Sequence, residues 1–468
     1  MSTVLLLSTP HYIESGDCGY CHDQKENYLG IPTLPQEANP PKSCTHITIG
    51  TFAHQMGTYD YSKFVNRGFR RLGRFLYKGD MLRGCCRMYT IRTNIDYLKF
   101  TKSHRKILNR FNRELNGITT DTSKGHVGLK LRDLIEIEAN CGGKFYTRFE
   151  LSGFTREKFE LYKKYQVKVH NDDPDEVSEG QFKSFLCDTP FLDEEIEGTP
   201  EQWRVLNNWI HLQPSERKKH GRVGPTHECY YLDGKLIAIS VLDFLPCGLS
   251  SVYFIWDPDY AHLSLGTLLG LREILMCNEL GLGDYYLGYY IEDCIKMKYK
   301  GNFGGEILDV CNEAFIPLAS VKDFMADGRF FTAAPKDSIS AIKEPELKLE
   351  RDPIRWDFPV VNVTQQMYGN SEIYKDAVTH SNTLIDRYKL PTPLLPNVLP
   401  GAVPMATLLN WVEAGEVGPH SPVTVLTKFG RVKEIKLKNL DARFQCSYLD
   451  MLRLFGLDVL RDAIIVHQ

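Results

Sequence analysis

The strongest constraint on this chain is a run of patterned segments between residues 227 and 300. His227–Asp233 reads HECYYLD, with polar and apolar residues alternating, the period of a strand with one buried face. Gly234-Lys235 makes a turn, and LIAISVLDFLP (236–246) reads as the returning strand of a hairpin. SSVYFIWD (250–257) is a third strand, rich in β-branched and aromatic residues. PDYAHLSLG (258–266) is turn-forming. TLLGLREILMCNELG (267–281) puts Leu268, Leu271 and Leu275 on one helical face and stops at Gly281 and Gly283. DYYLGYYI (284–291) is the next strand. The order is strand, strand, strand, loop, helix, strand, which predicts an α+β domain.

That order is similar to the centre of the GCN5-related N-acetyltransferase fold, in which the loop before the helix cradles a donor's phosphates. Around it the chain divides into three expected regions. Residues 1–150 hold a cysteine pair and a dense basic stretch, a metal-binding and basic N-terminal region. Residues 151–340 are the expected catalytic domain, opened by an acidic insert from Asn171 to Glu201 that reads as a solvated, mobile loop. Residues 341–468 are a C-terminal extension containing a charged linker (Lys343 to Pro353) and a Pro-rich stretch (Pro391 to Pro404).

Length and composition narrow the class. A chain of 468 residues holds two to four domains. With 43% hydrophobic and 25% charged residues it is ordinary globular material. The net charge of −3 excludes a polycation, so any nucleic-acid contact must be local. Val4 to Leu7 is too short for a signal-peptide core, and no apolar run approaches the roughly 20 residues of a membrane span. An intracellular protein without membrane contact is expected, in the cytoplasm, with the nucleus as a second compartment. Thirteen cysteines in a chain of this length do not make a disulfide scaffold.

Two of those cysteines form a CxxC pair, Cys18-Gly19-Tyr20-Cys21, and Cys85-Cys86 is a second pair. Four soft thiolates suit zinc or an iron–sulfur cluster. A redox CxxC with unrelated buried thiols is the alternative, and His22, Cys44 and His46 are possible substitute ligands. Between Lys63 and Arg113 the chain is dense in basic residues, opposed by only Asp80 and Asp96. Arg67, Arg70, Arg71 and Arg74 follow at i, i+3, i+4 and i+7, with Lys78 beyond them. On a helix they would make one positive stripe suited to phosphates, or simply a solvated face. The stretch continues through Lys102, Arg105, Lys106, Arg110 and Arg113. Asp243 sits among Val241, Leu242, Phe244 and Leu245, where a carboxylate is costly unless paired or used. Its readings are a base, a cation binder, or a turn cap before Pro246. Lys296, Lys298 and Lys300 alternate, so an extended segment would place them on one face, for an acidic ligand or for solvent.

Taken together, the strings CGYC, GFRRLGRFLYK, CCRMYTIR, HECYYLDGKLIAISVLDFLP, SSVYFIWDPDYAHLSLG, LREI, YYLGYYI and KMKYKG resemble the eukaryotic arginyl-tRNA–protein transferase family over roughly 18–113 and 226–305. The resemblance implies an acetyltransferase-like domain that takes arginine from Arg-tRNA. The acceptor it implies is the N-terminal amine of proteins beginning with Asp, Glu or oxidised Cys, whose products enter N-degron degradation. It assigns Cys18, Cys21, Cys85 and Cys86 to zinc or an iron–sulfur site. The loop LSLG lacks the Gly-rich pattern of acetyl-CoA-binding relatives, so no CoA is expected.

In such a reaction a neutral α-amine attacks the arginyl ester, the ribose oxygen leaves, and no enzyme nucleophile is needed. Cys229 and Cys247 therefore have no assigned role. Asp243, Asp257 and Tyr253 are the catalytic candidates, and Asp243, Asp257 and Asp259 the cation binders. Lys296, Lys298, Lys300 and Arg272 are candidates for the acceptor's acidic side chain, with Trp256, Tyr253, Tyr289 and Tyr290 as pocket walls. Arg67, Arg70, Arg71, Arg74 and Lys78 are the expected tRNA contacts. The rival readings are a CoA-dependent N-acetyltransferase and a non-catalytic metal- and RNA-binding adaptor. Labelled Arg-tRNA with an Asp-starting peptide separates all three.

Overall fold

In a computed structural model, the described residues are 4–16, 18–21, 46–117, 128–217, 220–336, 354–355, 359–368, 372–389 and 394–467. His22, Cys44 and the Lys343–Pro353 linker lie outside them. Among the described residues two large sheets organise a mixed α/β chain.

The nine-stranded sheet carries the patterned segment. Gly224–Leu232 and Lys235–Leu245 form the expected hairpin. Its turn residues are Asp233 and Gly234, one position before the expected Gly234-Lys235, and both have positive φ, 50° and 77°, the pairing a two-residue hairpin turn requires. Gly248–Trp256 continues antiparallel, and Phe145–Leu151 adds the outer edge beside Gly224–Leu232. The helix Leu265–Leu280 follows and is buried almost all round, not on one face only, as an element enclosed on several sides must be. Gly281, at φ 65°, ends it.

Asp284–Tyr290 then pairs in parallel with Gly248–Trp256, but only along Gly248–Ser250. Beyond Ser250 the two strands part. Asp284–Tyr290 is held instead on its other edge by Tyr89–Thr93, with an irregularity between Tyr286 and Tyr289 where Gly288 adopts φ 84°. A bulge of this kind redirects the backbone groups beside it.

The second, eight-stranded sheet joins the two ends of the chain. Leu5–Leu7 pairs in parallel with Ala463–His467, which also flanks Pro422–Thr427. Strand sharing thus crosses both of the boundaries drawn at 150 and 340. Tyr89–Thr93 belongs to the sheet of the central segment, and the C-terminal residues complete the N-terminal sheet. Phe455 seals that union against Phe64 and Phe69, with ring centroids 5.4 and 5.5 Å apart.

The acidic insert is not a loop. Glu179–Phe182, Asp193–Ile196 and Pro200–Asn207 are helical. Phe182 is fully buried against Phe154, Phe159 and Tyr162. Its apolar residues outweigh the acidic surface between them.

Candidate functional site

The metal-site candidate forms first at the level of chain pairing. His11–Ser15 pairs with His46–Gln55, which brings the CxxC turn against the loop after Phe75–Gly79. Cys18, Cys21, Cys85 and Cys86 are all buried, and their Sγ atoms lie within 4.8 Å of one another. Cys18 Sγ is 3.8 Å from Cys86 Sγ, and Cys21 Sγ is 3.7 Å from Cys85 Sγ. Hydrogen bonds from Cys85 and Cys86 hold the Cys18 thiol far below the ordinary thiol range, against the upward push of burial. His46 Nδ1 stands 3.6 Å from Cys18 Sγ, beside the thiolates and not among them.

Where the two central strands part, a cavity of about 610 Å³ opens. One wall is Ser250 to Phe254 and the other Leu287 to Tyr289. Tyr165, Val169, His170 and Trp256 close one side. Gly19 and Tyr20, the residues between the two CxxC thiols, form another part of the wall. The metal-site candidate is therefore adjacent to the cavity, not remote from it.

The cavity's charges are few. Glu273 is the one carboxylate residue among its described lining residues. It is 2% exposed and accepts hydrogen bonds from Ser240, from Tyr285 and, at 3.2 Å, from Tyr230. Burial, with the nearby Glu228 charge, pushes its pKa up to about 7. Arg70 and Lys300 line the same cavity. Arg70 is 5% exposed and donates to the carbonyls of Phe69 (2.9 Å) and Gly288 (3.4 Å), and its Nε has no partner. Lys300 Nζ donates to the Tyr289 carbonyl at 3.0 Å. Burial, with the Arg70 charge, pushes Lys300 down to about 7. The bulge at Gly288 presents the carbonyls of residues 288 and 289 to these two cations. Neither has a carboxylate partner among the described residues, whereas Arg71, which also lines the cavity, is paired with Asp243. Lys296 also lines the cavity and is exposed.

Several expected residues sit elsewhere. Arg67, Arg70, Arg71 and Arg74 form no helical stripe. The helix Thr58–Asn66 ends before them, and Arg70–Leu72 is a strand between Gly68 (φ 85°) and Gly73 (φ 58°). Only Arg74 is exposed. Arg67 meets Glu313 and Asp458, and Lys78 donates to the Gly401 carbonyl. Asp243 is fully buried and takes both Nε and Nη2 of Arg71 at 2.7 and 2.6 Å. A carboxylate engaged this way is no free base, and the paired reading of Asp243 is the correct one.

Asp257 receives Lys164 (2.5 Å) and Lys235 (2.8 Å) and the Asp259 backbone N–H. These partners hold it below its usual range against the desolvation of burial, and Asp259 shares Lys164. Neither lines the cavity. Arg272 is buried between Glu138 (2.8 Å) and Glu228. The lysine row is not extended: Ile295–Lys298 is helical and Tyr299–Phe303 a 3-10 turn. Lys298 pairs with Glu292 at 2.6 Å outside the cavity. Tyr253, Trp256, Tyr289, Lys296 and Lys300 do line it. Tyr253 donates to Gln166 at 2.9 Å, and the Tyr289 hydroxyl is spent on the Gly68 carbonyl at 2.8 Å. Tyr290 turns to Glu292 instead.

Sequence reasoning overlooked Glu273 as a site residue. Its signal was a Glu inside an otherwise apolar helix, LREILM, beside the Arg272 that drew attention.

Known proteins give this arrangement its context. The family model for the N terminus of arginine-tRNA-protein transferase matches residues 16–106, and that for the C terminus matches 157–309. The chain is 36% identical to arginyl-tRNA–protein transferase 1 of Saccharomyces cerevisiae over 99% of its length and 98% of that protein. It is 34% identical to arginyl-tRNA–protein transferase 2 of Arabidopsis thaliana over 47% of this chain and 39% of that protein. It is 29% identical to an aspartate/glutamate leucyltransferase of Pseudomonas paraeruginosa over 53% of this chain and 79% of that protein. Such matches define an enzyme of the aminoacyltransferase class. Within that class, the chain belongs to the arginyl-tRNA–protein transferase family. Its activity is arginyl transfer, with Arg-tRNA and a protein as the two substrates. Among the described residues no helix is long and apolar enough to cross a membrane.

Proposed function

We propose that both substrates meet in the cavity between the parted strands, in a GCN5-related acetyltransferase-like domain, and that the cavity's two poles sort them. The observation that carries this is that one carboxylate, Glu273, and two cations without carboxylate partners among the described residues, Arg70 and Lys300, line the same cavity and are each held by neutral groups. An arginyl side chain entering a dry cavity loses its hydration and needs a fixed anion. Glu273 supplies it, with its hydroxyl donors keeping the carboxylate oriented. The acceptor's acidic first side chain needs the reverse, and Arg70 and Lys300 supply that, with Lys296 nearer the mouth. Asp, Glu and oxidised Cys share the required negative charge. The name of the Pseudomonas relative, an aspartate/glutamate leucyltransferase, accords with this reading.

With both side chains anchored, the acceptor α-amine faces the ester carbonyl. Amine nitrogen bonds to the carbonyl carbon, the ribose oxygen leaves with the proton the amine gives up, and an amide replaces the ester. Holding the two together is most of the catalysis such an activated ester needs. The product, an N-terminally arginylated protein, accords with entry into N-degron degradation.

The four cysteines fit a metal. A single tetrahedral ion with metal–sulfur bonds of about 2.3 Å sets its thiolates about 3.8 Å apart, and the nearest pairs here stand 3.7 and 3.8 Å apart. We assign one ion, zinc being the best match, since a multi-iron core would spread the thiolates further. Cys18 and Cys21, holding such an ion, would fix the Gly19-Tyr20 turn that lines the cavity. Metal analysis of protein purified without oxygen gives one metal atom per chain and no inorganic sulfide.

The test of the two poles is a pair of variants. Lys300→Met lowers kcat/KM for Asp-starting peptides at fixed Arg-tRNA. Glu273→Gln raises KM for Arg-tRNA at fixed peptide. If both variants raised KM for the same substrate, the division of the cavity would be wrong.

A further inference from the structure

With Arg67, Arg71 and Lys78 consumed in the interior, the surface that meets the tRNA body must lie elsewhere. The helix Lys102–Asn116 offers one. It starts at a Thr101–His104 capping box and buries His104, Ile107, Leu108, Phe111 and Leu115. That leaves Lys102, Lys106, Arg110 and Arg113 exposed, with Arg105 half-buried over the Phe100 ring. At 100° per residue the four exposed cations fall within a sector of about 80°, along about 16 Å of helix. None of the four pairs with a carboxylate among the described residues. The helix also touches the cavity: Arg110 Nη1 donates to the His262 carbonyl and lies 3.5 Å from Ser264 Oγ. Ser264 and Ala261 line the cavity rim.

We infer that this stripe holds the acceptor stem of the aminoacyl-tRNA. The inference rests on the cavity as the seat of the arginyl ester. The terminal nucleotide must then leave over the rim, and the duplex behind it carries closely spaced phosphates past whatever flanks that rim. Four cations on one helix face, three of them without a carboxylate or carbonyl partner among the described residues, match that line of charge. They read backbone and not bases, so they hold the stem without choosing its sequence. Arg110 ties the stripe to the 258–264 segment, and the other three are free to meet phosphate.

The experiment compares two donors. In full-length protein, Lys102→Glu, Lys106→Glu and Arg113→Glu are combined, leaving Arg110 and the rim intact. Intact Arg-tRNA and a minimal donor, an arginylated CCA trinucleotide too short to reach the stripe, are assayed with the same Asp-starting peptide. For intact Arg-tRNA, kcat/KM falls at least tenfold at moderate salt. The slope of log affinity against log salt flattens by about 1 per lost contact, about 3 in all. The trinucleotide donor changes less than twofold. Unchanged use of both donors would mean the stripe is only a solvated face. An equal fall with both would mean the cavity itself was disturbed. Either result overturns the assignment, and neither bears on the Glu273 and Lys300 variants, whose readouts are side-chain recognition and not phosphate contact.

Discussion

Two basic stretches, Arg67–Arg92 and Lys102–Arg113, have similar composition and opposite fates. In the first, Arg67, Arg71, Arg83 and Arg92 are buried with carboxylates: Glu313 and Asp458, Asp243, Asp80, and Glu306 with Asp284. They weld the N-terminal elements to the central sheet and to the C-terminal residues. In the second, Lys102, Lys106, Arg110 and Arg113 face solvent. Positive charge in a sequence is therefore ambiguous between internal cross-links and a binding surface. What separates them is whether an anion from elsewhere in the chain arrives first. Arg70 and Arg87 are buried arginines of the first stretch that no carboxylate among the described residues meets, and of these two Arg70 is the one that lines the cavity.

The largest expected effect tests the welding role. Asp243→Asn leaves the buried Arg71 guanidinium without its anion and destabilises the protein by about 3–5 kcal/mol. A marked drop in the thermal unfolding midpoint reads it out. The double change Asp243→Leu/Arg71→Met recovers much of the loss, because an apolar pair carries no stranded charge. A single variant that stayed stable but lost all activity would return Asp243 to the list of catalytic groups.

Arg70 comes next. Arg70→Met lowers kcat/KM for Asp-starting peptides by about 2–5 kcal/mol in free-energy terms, while the unfolding midpoint shifts far less than in Asp243→Asn. Equal losses of stability in the two variants would make Arg70 another cross-link and erase its exceptional place.

The pH profiles of the two substrates should then oppose each other. Glu273, raised to about 7 by burial and Glu228, binds a guanidinium only when ionised. So kcat/KM for Arg-tRNA rises as pH climbs to about 7 and levels above it. Lys300, lowered to about 7 by burial and Arg70, attracts a carboxylate only when protonated. So kcat/KM for the acidic peptide, once corrected for the neutral fraction of its α-amine, is level below about 7 and falls above it. Glu273→Gln removes the first limb and Lys300→Met the second. Parallel profiles for both substrates would contradict the two-pole reading.

The smallest effects belong to the exposed charges. Arg113→Ala shifts stability by no more than about 0.5 kcal/mol. Lys298→Met breaks only the partly exposed pair with Glu292 and changes peptide kcat/KM less than twofold. A larger loss from Lys298→Met would restore the lysine row as an acceptor site.

Much of this architecture is legible along the chain because it is local. Period-2 alternation, a turn glycine at 234 and a terminal glycine at 281 determine the hairpin and helix of the central segment without reference to anything distant, although the turn falls at Asp233-Gly234 and not at Gly234-Lys235. The paired cysteines are legible too, since thiolate chemistry names soft metals wherever the thiols converge. The helical arginine stripe fails for a local reason as well: Gly68 and Gly73, at φ 85° and 58°, flank Arg70–Leu72, so the segment turns instead of coiling. The glycines of KYKGNFGG likewise signal turns that an alternating lysine row ignores.

The sequence by itself determined the local elements, the metal-seeking residue types and the family. Only the tertiary structure decided which charges are available. Arg71 and Asp243 are 172 residues apart, and no local pattern reveals that they neutralise each other. Glu273 and Arg70, 203 residues apart, come to line one cavity where two strands part after Ser250. Ion pairing inside a protein depends on distance in space, and chain order carries no measure of that distance.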